Sequence, residues 1–177
     1  MKNKTFTKIV GFIVIFMAVV AGYKFIIQKP EFVLQPSSTQ TTMGIEYKNM
    51  NYGFSFHLPN SWNGYMVEHK KWSGDKTSDG EMNRETFEGP LLQIHHPSSV
   101  SENTYQDIPI MIFTLEEWDA LQKDIFHIGA APINPSELGR NKKYVFALPA
   151  RYNYSFPTGF EEVEEIIKSK PLKAFDR

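Results

Sequence analysis

A long apolar stretch near the amino terminus is the feature that most constrains the fold of this chain. Residues 9–23 carry no charge, and after Lys24 the apolar residues 25–27 follow. Together, residues 9–27 form a segment of 19 residues, close to the roughly 20 that an α-helix needs to cross a bilayer. A surface helix of a soluble protein has a polar face, and this segment has none. It is therefore predicted to be a transmembrane helix, with the lipid bilayer as its partner.

The lysines before this stretch indicate its orientation. Lys2, Lys4 and Lys8 precede it, and the positive-inside rule places such a flank in the cytoplasm. Residues 1–27 are thus predicted to be a cytoplasmic N-terminal tail and an uncleaved signal anchor. The alternative is a secretory signal peptide that is cleaved after Ala21. Both alternatives place the remaining chain outside the cytoplasm, and the first predicts a single-pass protein of the cell membrane.

Composition divides the rest of the chain into a linker and a domain. Residues 28–43 contain two prolines and many Ser, Thr and Gln residues, a composition typical of a flexible linker. Residues 44–177 are predicted to be one extracytoplasmic domain. Residues 1–43 have a net charge of +4 (five Lys, one Glu), so the domain, with 14 basic and 19 acidic residues, has −5. An acidic domain does not suit a phosphate backbone, and nucleic-acid binding is not expected.

The absence of cysteine excludes several kinds of chemistry. The chain has no Cys, so it can have no disulfide scaffold, no thiolate nucleophile and no thiolate-bound metal. It also lacks the cysteine that a lipoprotein anchor requires. The domain must therefore be stabilised by its core alone, and about 130 residues suffice for one.

Alternating and continuous apolar segments predict strands in the domain. In residues 54–58, apolar residues alternate with Ser55 and His57, so one face should be buried and the other exposed. A turn at residues 51–53 separates this strand from one before it. Residues 107–114 are almost wholly apolar, which is typical of a central strand covered on both faces. Further strands are predicted in residues 64–72, 86–96 and 142–149, and the polar loop of a hairpin in residues 73–85.

Capping signals and apolar spacing predict two helices. Thr114 and Glu117 have the spacing of a capping box at the start of the first. The second is predicted in residues 159–169, with Thr158 as its N-cap. One helical turn is also expected near residues 136–138. Hairpins of strands followed by two helices predict an α+β domain, in which helices pack against an antiparallel sheet.

The beginning of the domain resembles a known family. The segment NYGFSFHLPNSW resembles the opening of PsbP-like domains, in which a hairpin is followed by an aromatic-x-aromatic strand, a Leu-Pro end and a Trp. The matching residues are Tyr52, Gly53, Phe54, Phe56, Pro59 and Trp62. The resemblance implies an antiparallel sheet with helices against it, a fold found in the extrinsic PsbP subunit of photosystem II and in bacterial surface lipoproteins.

Three further segments, QDIPIMIFT, ELGRNKKYVFALPARYNY and GFEEVEEI, are similar to uncharacterised membrane-anchored proteins of Gram-positive bacteria. This resemblance implies no particular activity. Because the chain lacks the cysteine of the lipoproteins, its anchor must differ from theirs. Nothing in the sequence points to a manganese-cluster partner, so the photosynthetic role is not carried over. Fold alone does not define function.

One arginine stands among aromatic residues near the end of the chain. Arg151 is followed by Tyr152, Tyr154 and Phe156. In an extended segment these three rings would share one face, with Arg151 on the other. A guanidinium can bind a carboxylate or phosphate in a fork or lie against a ring. The segment therefore predicts either a ligand-binding arginine at a pocket rim or a structural arginine paired with a carboxylate of the domain, such as one in residues 161–165 of the last helix.

The sequence offers little support for a metal site or a catalytic motif. His95 and His96 are adjacent on a predicted strand and should point to opposite faces. Without a spacing motif that brings in further ligands, no metal site is expected. There is no Gly-x-Ser-x-Gly, no Ser-x-x-Lys and no glycine-rich phosphate loop, so no catalytic residue is assigned and no cofactor is expected.

These features predict a membrane-anchored protein whose extracytoplasmic domain is a non-catalytic binding or assembly module. Its ligand or partner would be a component of the cell envelope. The predicted binding surface includes Arg151, Tyr152 and Tyr154 together with Asn141 and Lys143. The alternative is a cell-envelope hydrolase without a recognisable motif, which would need a His or an acid with a shifted pKa in a cleft.

Overall fold

The described part of the domain contains nine strands and two α-helices. The computed structural model describes residues 44–76, 86–100, 104–129 and 133–176. The strands are β1 (Ile45–Asn49), β2 (Phe54–Leu58), β3 (Met66–Lys76), β4 (Thr86–His95), β5 (Ile108–Thr114), β6 (Phe126–His127), β7 (Ser136–Arg140), β8 (Tyr144–Leu148) and β9 (Leu172–Ala174). The helices are α1 (Leu115–Gln122) and α2 (Phe160–Lys168), and a short 3-10 helix spans Asn60–Trp62. The predicted α+β class is confirmed.

The strands form two antiparallel sheets. The larger sheet has the order β6-β3-β4-β5-β8-β7, and the smaller has the order β1-β2-β9. β3 and β4 form the predicted hairpin and pair from Met66 opposite His95 to Asp75 opposite Thr86. Residues 73–76 continue β3, which corrects the predicted start of the polar loop. The rest of that loop, residues 77–85, lies outside the described residues.

β5 is a central strand whose two faces contribute to different cores. Ile108, Ile110 and Ile112 belong to the cluster on one face of the large sheet. Met111 and Phe113 belong to the cluster on the other face. Successive side chains of a strand point to opposite faces, so a strand covered on both sides must be apolar throughout. The prediction for this segment is confirmed.

The larger core lies between the two sheets and α2. Phe54, Phe56 and Leu58 of β2 are buried there together with Val163 and Ile166 of α2. The predicted alternation in β2 is confirmed for these three apolar residues and for the exposed His57. Ser55 is a correction, because it is buried instead of exposed. β2 lies in the middle of the small sheet, between β1 and β9, and this position covers it more than an edge strand would be.

Helix α1 covers the other face of the large sheet. Its Trp118 and Leu121 pack with Trp72 and Phe113. The helix begins as predicted with a capping box: Glu117 N donates to Thr114 Oγ1 at 3.1 Å, and Thr114 N donates to Glu117 Oε2 at 2.7 Å. Two backbone donors at the helix start are thereby satisfied. This boundary could be predicted because both partners are local in sequence.

Residues 136–138 form part of an edge strand and not the predicted helical turn. β7 pairs with β8, starting at Ser136 opposite Leu148, and has a bulge between Glu137 and Gly139. Pairing with a buried strand satisfies backbone groups that a single helical turn would leave open. A bulge on an outer strand also hinders pairing with other chains.

Helix α2 begins one residue later than predicted. Its N-cap is Gly159, which has a φ of 80° and makes no side-chain cap, so the prediction of Thr158 as N-cap is wrong. Thr158 forms a parallel bridge with Tyr105, and its carbonyl accepts a hydrogen bond of 2.8 Å from the backbone N–H of Gln106. This long-range contact fixes the backbone before the helix, and glycine adopts the positive φ that follows at little cost.

Candidate functional site

The Asn141 side chain joins three segments of the chain. Its Nδ2 donates to the carbonyl oxygens of Tyr52 (2.8 Å), Gly53 (3.1 Å) and Phe175 (3.3 Å). Its Oδ1 accepts from the backbone N–H groups of residues 143 and 144, each at 2.9 Å. We call this set of bonds the Asn141 clamp. Both polar atoms of this predicted site residue have partners within the protein, which gives the side chain a structural role.

The turn at Gly53 brings its backbone close to the Asn141 clamp. Gly53 has a φ of 78°, a conformation that strains residues with a side chain. A Cβ atom at this position would lie 2.5 Å from Phe175 O and 2.9 Å from Asn141 Nδ2. The predicted turn at residues 51–53 is confirmed, and the close approach of Asn141 explains why it ends in glycine.

Two lysines lie on the surface beside the clamp. Lys142 Nζ is 2.9 Å from Asp176 Oδ2, and this contact lowers the pKa of the Asp176 carboxyl. No hydrogen bond or ion pair of the Lys143 side chain occurs among the described residues. Both lysines, with Tyr52 and Tyr144, line a depression of about 120 Å³. Pockets for organic ligands usually measure about 300–1,000 Å³, so this depression is small for such a ligand.

Arg151 lies in a turn after β8, so the extended conformation that would place the three following rings on one face does not occur. Its φ is 57° and that of Phe156 is 46°, both in the left-handed region that residues other than glycine rarely adopt. Tyr154 N donates to Arg151 O, and Phe156 N donates to Asn153 O, each at 3.0 Å. The segment from Arg151 to Phe156 therefore forms two consecutive turns and not an extended strand.

The three rings after Arg151, which an extended segment would place on one face, have different environments. Tyr152 packs against the larger core, and burial, followed by the nearby Glu164 carboxylate, raises the pKa of its phenol. Tyr154 is 74% exposed and Phe156 is 65% exposed. The Arg151 guanidinium lies 5.9 Å from the centroid of the Tyr154 ring, within cation–π range. We call Arg151, Tyr154 and Phe156 the aromatic turn.

Arg151 is not paired with the last helix. Three of the four glutamates of α2 have other partners: Glu162 accepts from Ser61 Oγ at 2.5 Å, Glu164 from Asn153 Nδ2 at 2.8 Å and Glu165 from Lys168 Nζ at 2.7 Å. Within the ranges that the structure describes, Arg151 forms no ion pair. Pairing of Arg151 with a carboxylate of the last helix is therefore contradicted, pairing with a carboxylate outside the described ranges is untested, and the ligand-binding interpretation stays a prediction.

The predicted site residues fall into two groups. Asn141 and Lys143 precede β8, whereas Arg151, Tyr152 and Tyr154 follow it. A strand of five residues is about 16 Å long, so the groups lie at opposite ends of β8. One small ligand cannot contact both, and the predicted surface is two separate regions.

A polar network across β3, β4 and the start of β5 is absent from the sequence prediction. His95 Nε2 is 3.0 Å from Glu68 Oε2, and Nδ1 is 3.0 Å from Asp107 Oδ1. Gln93 Nε2 donates to Asp107 Oδ2 at 2.6 Å, and Lys70 Nζ donates to Gln93 Oε1 at 2.8 Å. Lys70 Nζ also lies 2.9 Å from Glu68 Oε2, which closes a ring of five side chains. The hydrogen bond from Lys70, followed by that from His95, lowers the pKa of Glu68.

The register of the hairpin is the signal that could have revealed this network. Glu68 is opposite Gln93, and Met66 is opposite His95, so their side chains share one face of the sheet. His96 lies on the other face, stacked 4.4 Å from Tyr105, and the predicted opposite orientation of the two histidines is confirmed. In the described part of the chain, no group of three His, Asp or Glu side chains is arranged to hold a metal ion.

The chain matches no protein-family model, no curated protein and no solved structure. Within the described ranges, no helix is long and apolar enough to cross a membrane. The predicted transmembrane segment (residues 9–27) and linker (residues 28–43) lie outside those ranges. A proposal for the function of this protein therefore rests on its sequence pattern and on the contacts within the domain.

Proposed function

We propose that the protein is a single-pass, membrane-anchored binding or assembly module whose PsbP-like domain lies outside the cytoplasm. Residues 9–27 serve as the anchor, and their length and lack of acidic residues support this assignment. Residues 28–43 serve as the linker. The observation that carries the binding assignment is the aromatic turn, which exposes two large rings beside an exposed arginine.

The backbone of the aromatic turn supports a role in binding. A left-handed conformation costs a residue other than glycine about 1–2 kcal/mol, and the turn contains two such residues, Arg151 and Phe156. Local strain of this kind is often found at functional sites. Tyr and Arg are also enriched where proteins contact partners. A surface that is both strained and aromatic is therefore a better contact candidate than the fully bonded Asn141 clamp.

The PsbP-like type is supported by how the motif is used in the fold. Its aromatic residues Phe54 and Phe56 are buried in β2, and Trp62, at the end of the motif, is buried in the same core. The segment before them forms the β1–β2 hairpin. The motif therefore contributes core residues and a turn, which fits a family pattern that specifies a fold and not an activity.

The absence of cysteine from the chain provides a direct test of this proposal. A single introduced thiol at Ser155→Cys, between the two exposed rings, can be compared with one at Ser73→Cys, an exposed residue of β3. Intact cells would be treated with a membrane-impermeant maleimide, and each reaction normalised to that of the denatured protein. We expect both thiols to react, which places the domain outside, and Ser155→Cys to react more slowly because a partner covers it.

Two results would contradict the proposal in different ways. Reaction of both thiols only after lysis would show that the domain lies inside the cytoplasm. Equal normalised reaction at both positions in intact cells would show that the aromatic turn is uncovered, and would remove it as the contact surface.

An enzyme is the second candidate, and the observation that favours it is the placement of His95 beside Asp107. A carboxylate that orients an imidazole is a common part of a general base. In this structure, however, His95 Nε2 makes its hydrogen bond with Glu68 at 3.0 Å, so the nitrogen that would serve a substrate is already occupied by a protein carboxylate. Hydrolysis of a cell-envelope substrate that is abolished by His95→Gln would favour the enzyme over the binding module.

A further inference from the structure

The backbone of the aromatic turn is fixed by contacts with the domain, while the rings of Tyr154 and Phe156 are exposed to solvent. Gln106 Nε2 donates to Tyr152 O at 3.1 Å, and Asn153 Nδ2 donates to Glu164 at 2.8 Å. Phe156 contacts the ring of Phe160 edge-on, with centroids 5.0 Å apart. These contacts attach the turn to α2 and to the segment before β5. The exposed rings are thus presented by a fixed backbone, which lowers the entropic cost of contact with a surface.

Gly44, the first described residue, lies beside α2. It lines a depression of about 410 Å³ together with Glu162 in the first turn of that helix and Ser169 at its carboxyl end. The aromatic turn leads directly into the same helix. The start of the described domain and the exposed rings are therefore both adjacent to α2.

In the proposed arrangement, the linker keeps the domain within reach of the bilayer. Sixteen residues, 28–43, span at most about 55 Å when fully extended. Tethering of this kind raises the effective concentration of the domain at the membrane surface, so that a weak contact suffices to orient it. The lipid surface is thus the one surface that the proposed anchor guarantees to be within reach.

The chemistry of the turn fits the interface between lipid headgroups and acyl chains. Tyrosine is enriched at that depth because its ring is apolar and its hydroxyl is polar, and Arg and Tyr both anchor proteins there. The next helix carries Glu161, Glu162, Glu164 and Glu165. Their charge opposes attraction to an anionic surface, so contact would depend on the rings and not on net charge.

From this arrangement, which rests on the proposed anchor, we infer that the aromatic turn docks onto the outer surface of the bilayer. Tyr154 and Phe156 insert at the interface, and Arg151 contacts the lipid phosphates. The domain is then held in one orientation on the membrane, with the hairpin end of β3 away from the lipid. The dependence on rings predicts docking on neutral as well as anionic lipids, with little effect of salt.

The experiment uses the full chain in lipid vesicles. Ser155→Cys and Ser73→Cys each carry an environment-sensitive fluorophore, and the vesicles contain phosphatidylcholine with or without a lipid bearing a short-range quencher near its headgroup. Ser73 is opposite Glu88 near the hairpin end of β3, about 23 Å along the strand from Met66. We expect quenching at position 155 and little at position 73. Adding Tyr154→Ser and Phe156→Ser should abolish the quenching at position 155.

The outcomes separate the docking from the anchor on which it rests. Failure of the chain to float with the vesicles would overturn the anchored module and the docking together. Flotation with no quenching at position 155, or with equal quenching at both positions, would overturn the docking alone. If the maleimide experiment shows that Ser155→Cys is covered in cells while lipid does not quench it, the cover is a protein, and docking on lipid is overturned.

Discussion

The two ends of β8 show how similar polar and aromatic residues can serve different purposes. Before the strand, Asn141 directs both atoms of its amide to the chain's own backbone. After the strand, Arg151 and Tyr154 face solvent and contact each other. The first end closes the fold by joining distant segments, and the second presents side chains at a cost in backbone strain. Hydrogen-bond satisfaction distinguishes a structural side chain from one that is available for a partner.

The largest expected effect is the loss of the Asn141 clamp. Asn141→Ala removes the donor to three carbonyl groups and the acceptor for two N–H groups. Because unsatisfied, partly buried groups are costly, we expect a loss of about 2–3 kcal/mol in the free energy of unfolding. Urea unfolding of the full chain in detergent would measure this loss as a lower midpoint. The slope of the free energy against urea concentration should stay unchanged.

Lys143→Ala is the matched control for this change. It alters the same turn but removes only an exposed side chain, so its effect should stay within about 0.5 kcal/mol. Equal losses for the two variants would show that the turn as a whole, and not the amide of Asn141, stabilises the fold.

A substitution at the other end of β8 is expected to raise the free energy of unfolding instead of lowering it. Arg151→Gly relieves the left-handed strain of a residue whose φ is 57°. Glycine also gives the unfolded chain more conformational entropy, which offsets part of this relief. The expected net result is a gain of about 0.5–1 kcal/mol in the free energy of unfolding. Arg151→Lys keeps the strain and should leave stability nearly unchanged. A clear loss of stability in Arg151→Gly would mean that the guanidinium holds the turn in place.

The smallest effect is a pH dependence at the Asn141 end. Lys142 lowers the pKa of Asp176 below its ordinary 3.8, and Asp176 raises the pKa of Lys142 above its ordinary 10.5. Because the pKa of Asp176 is lower in the folded protein, its carboxylate stabilises the fold at pH values above its pKa in the unfolded chain. This stabilisation is lost as pH falls. Because the pKa of Lys142 is higher in the folded protein, its ammonium group stabilises the fold at pH values below its pKa in the unfolded chain. This stabilisation is lost as pH rises.

Comparison of wild type with Asp176→Asn tests this pair. The difference in unfolding midpoint should be present between about pH 5 and pH 9 and should decrease as pH falls through and below 3.8, the ordinary pKa of the carboxyl. Both side chains are exposed to solvent, so the difference should be small. A difference that grows as pH falls would contradict the assigned pairing.

The elements that the sequence predicted correctly are those with local causes. The capping box at Thr114, the apolar β5 and the buried apolar residues of β2 each depend on residues within a few positions. The failures have distant causes. Thr158 is bridged to Tyr105, and β9, which has only three residues, exists because it pairs with β2.

The candidate site was less predictable for the same reason. Asn141 bonds to groups 88 and 89 residues away, and the ring around His95 spans three strands whose register no single segment specifies. The importance of Arg151 could be suspected from its aromatic neighbours. The left-handed backbone, which exposes Tyr154 and buries part of Tyr152, could not be predicted. The same residues are compatible with an extended strand and with a turn.

The most direct test of the account compares the two ends of β8 in the cell. Lys143→Cys and Ser155→Cys each introduce the only thiol of the chain, at exposed positions on either side of the strand. Their reaction with an impermeant maleimide in intact cells would be measured relative to the denatured protein. The account predicts fast reaction at position 143 and slow reaction at position 155. Slow reaction at position 143 with fast reaction at position 155 would contradict it, because the contact surface would then be at the Asn141 end.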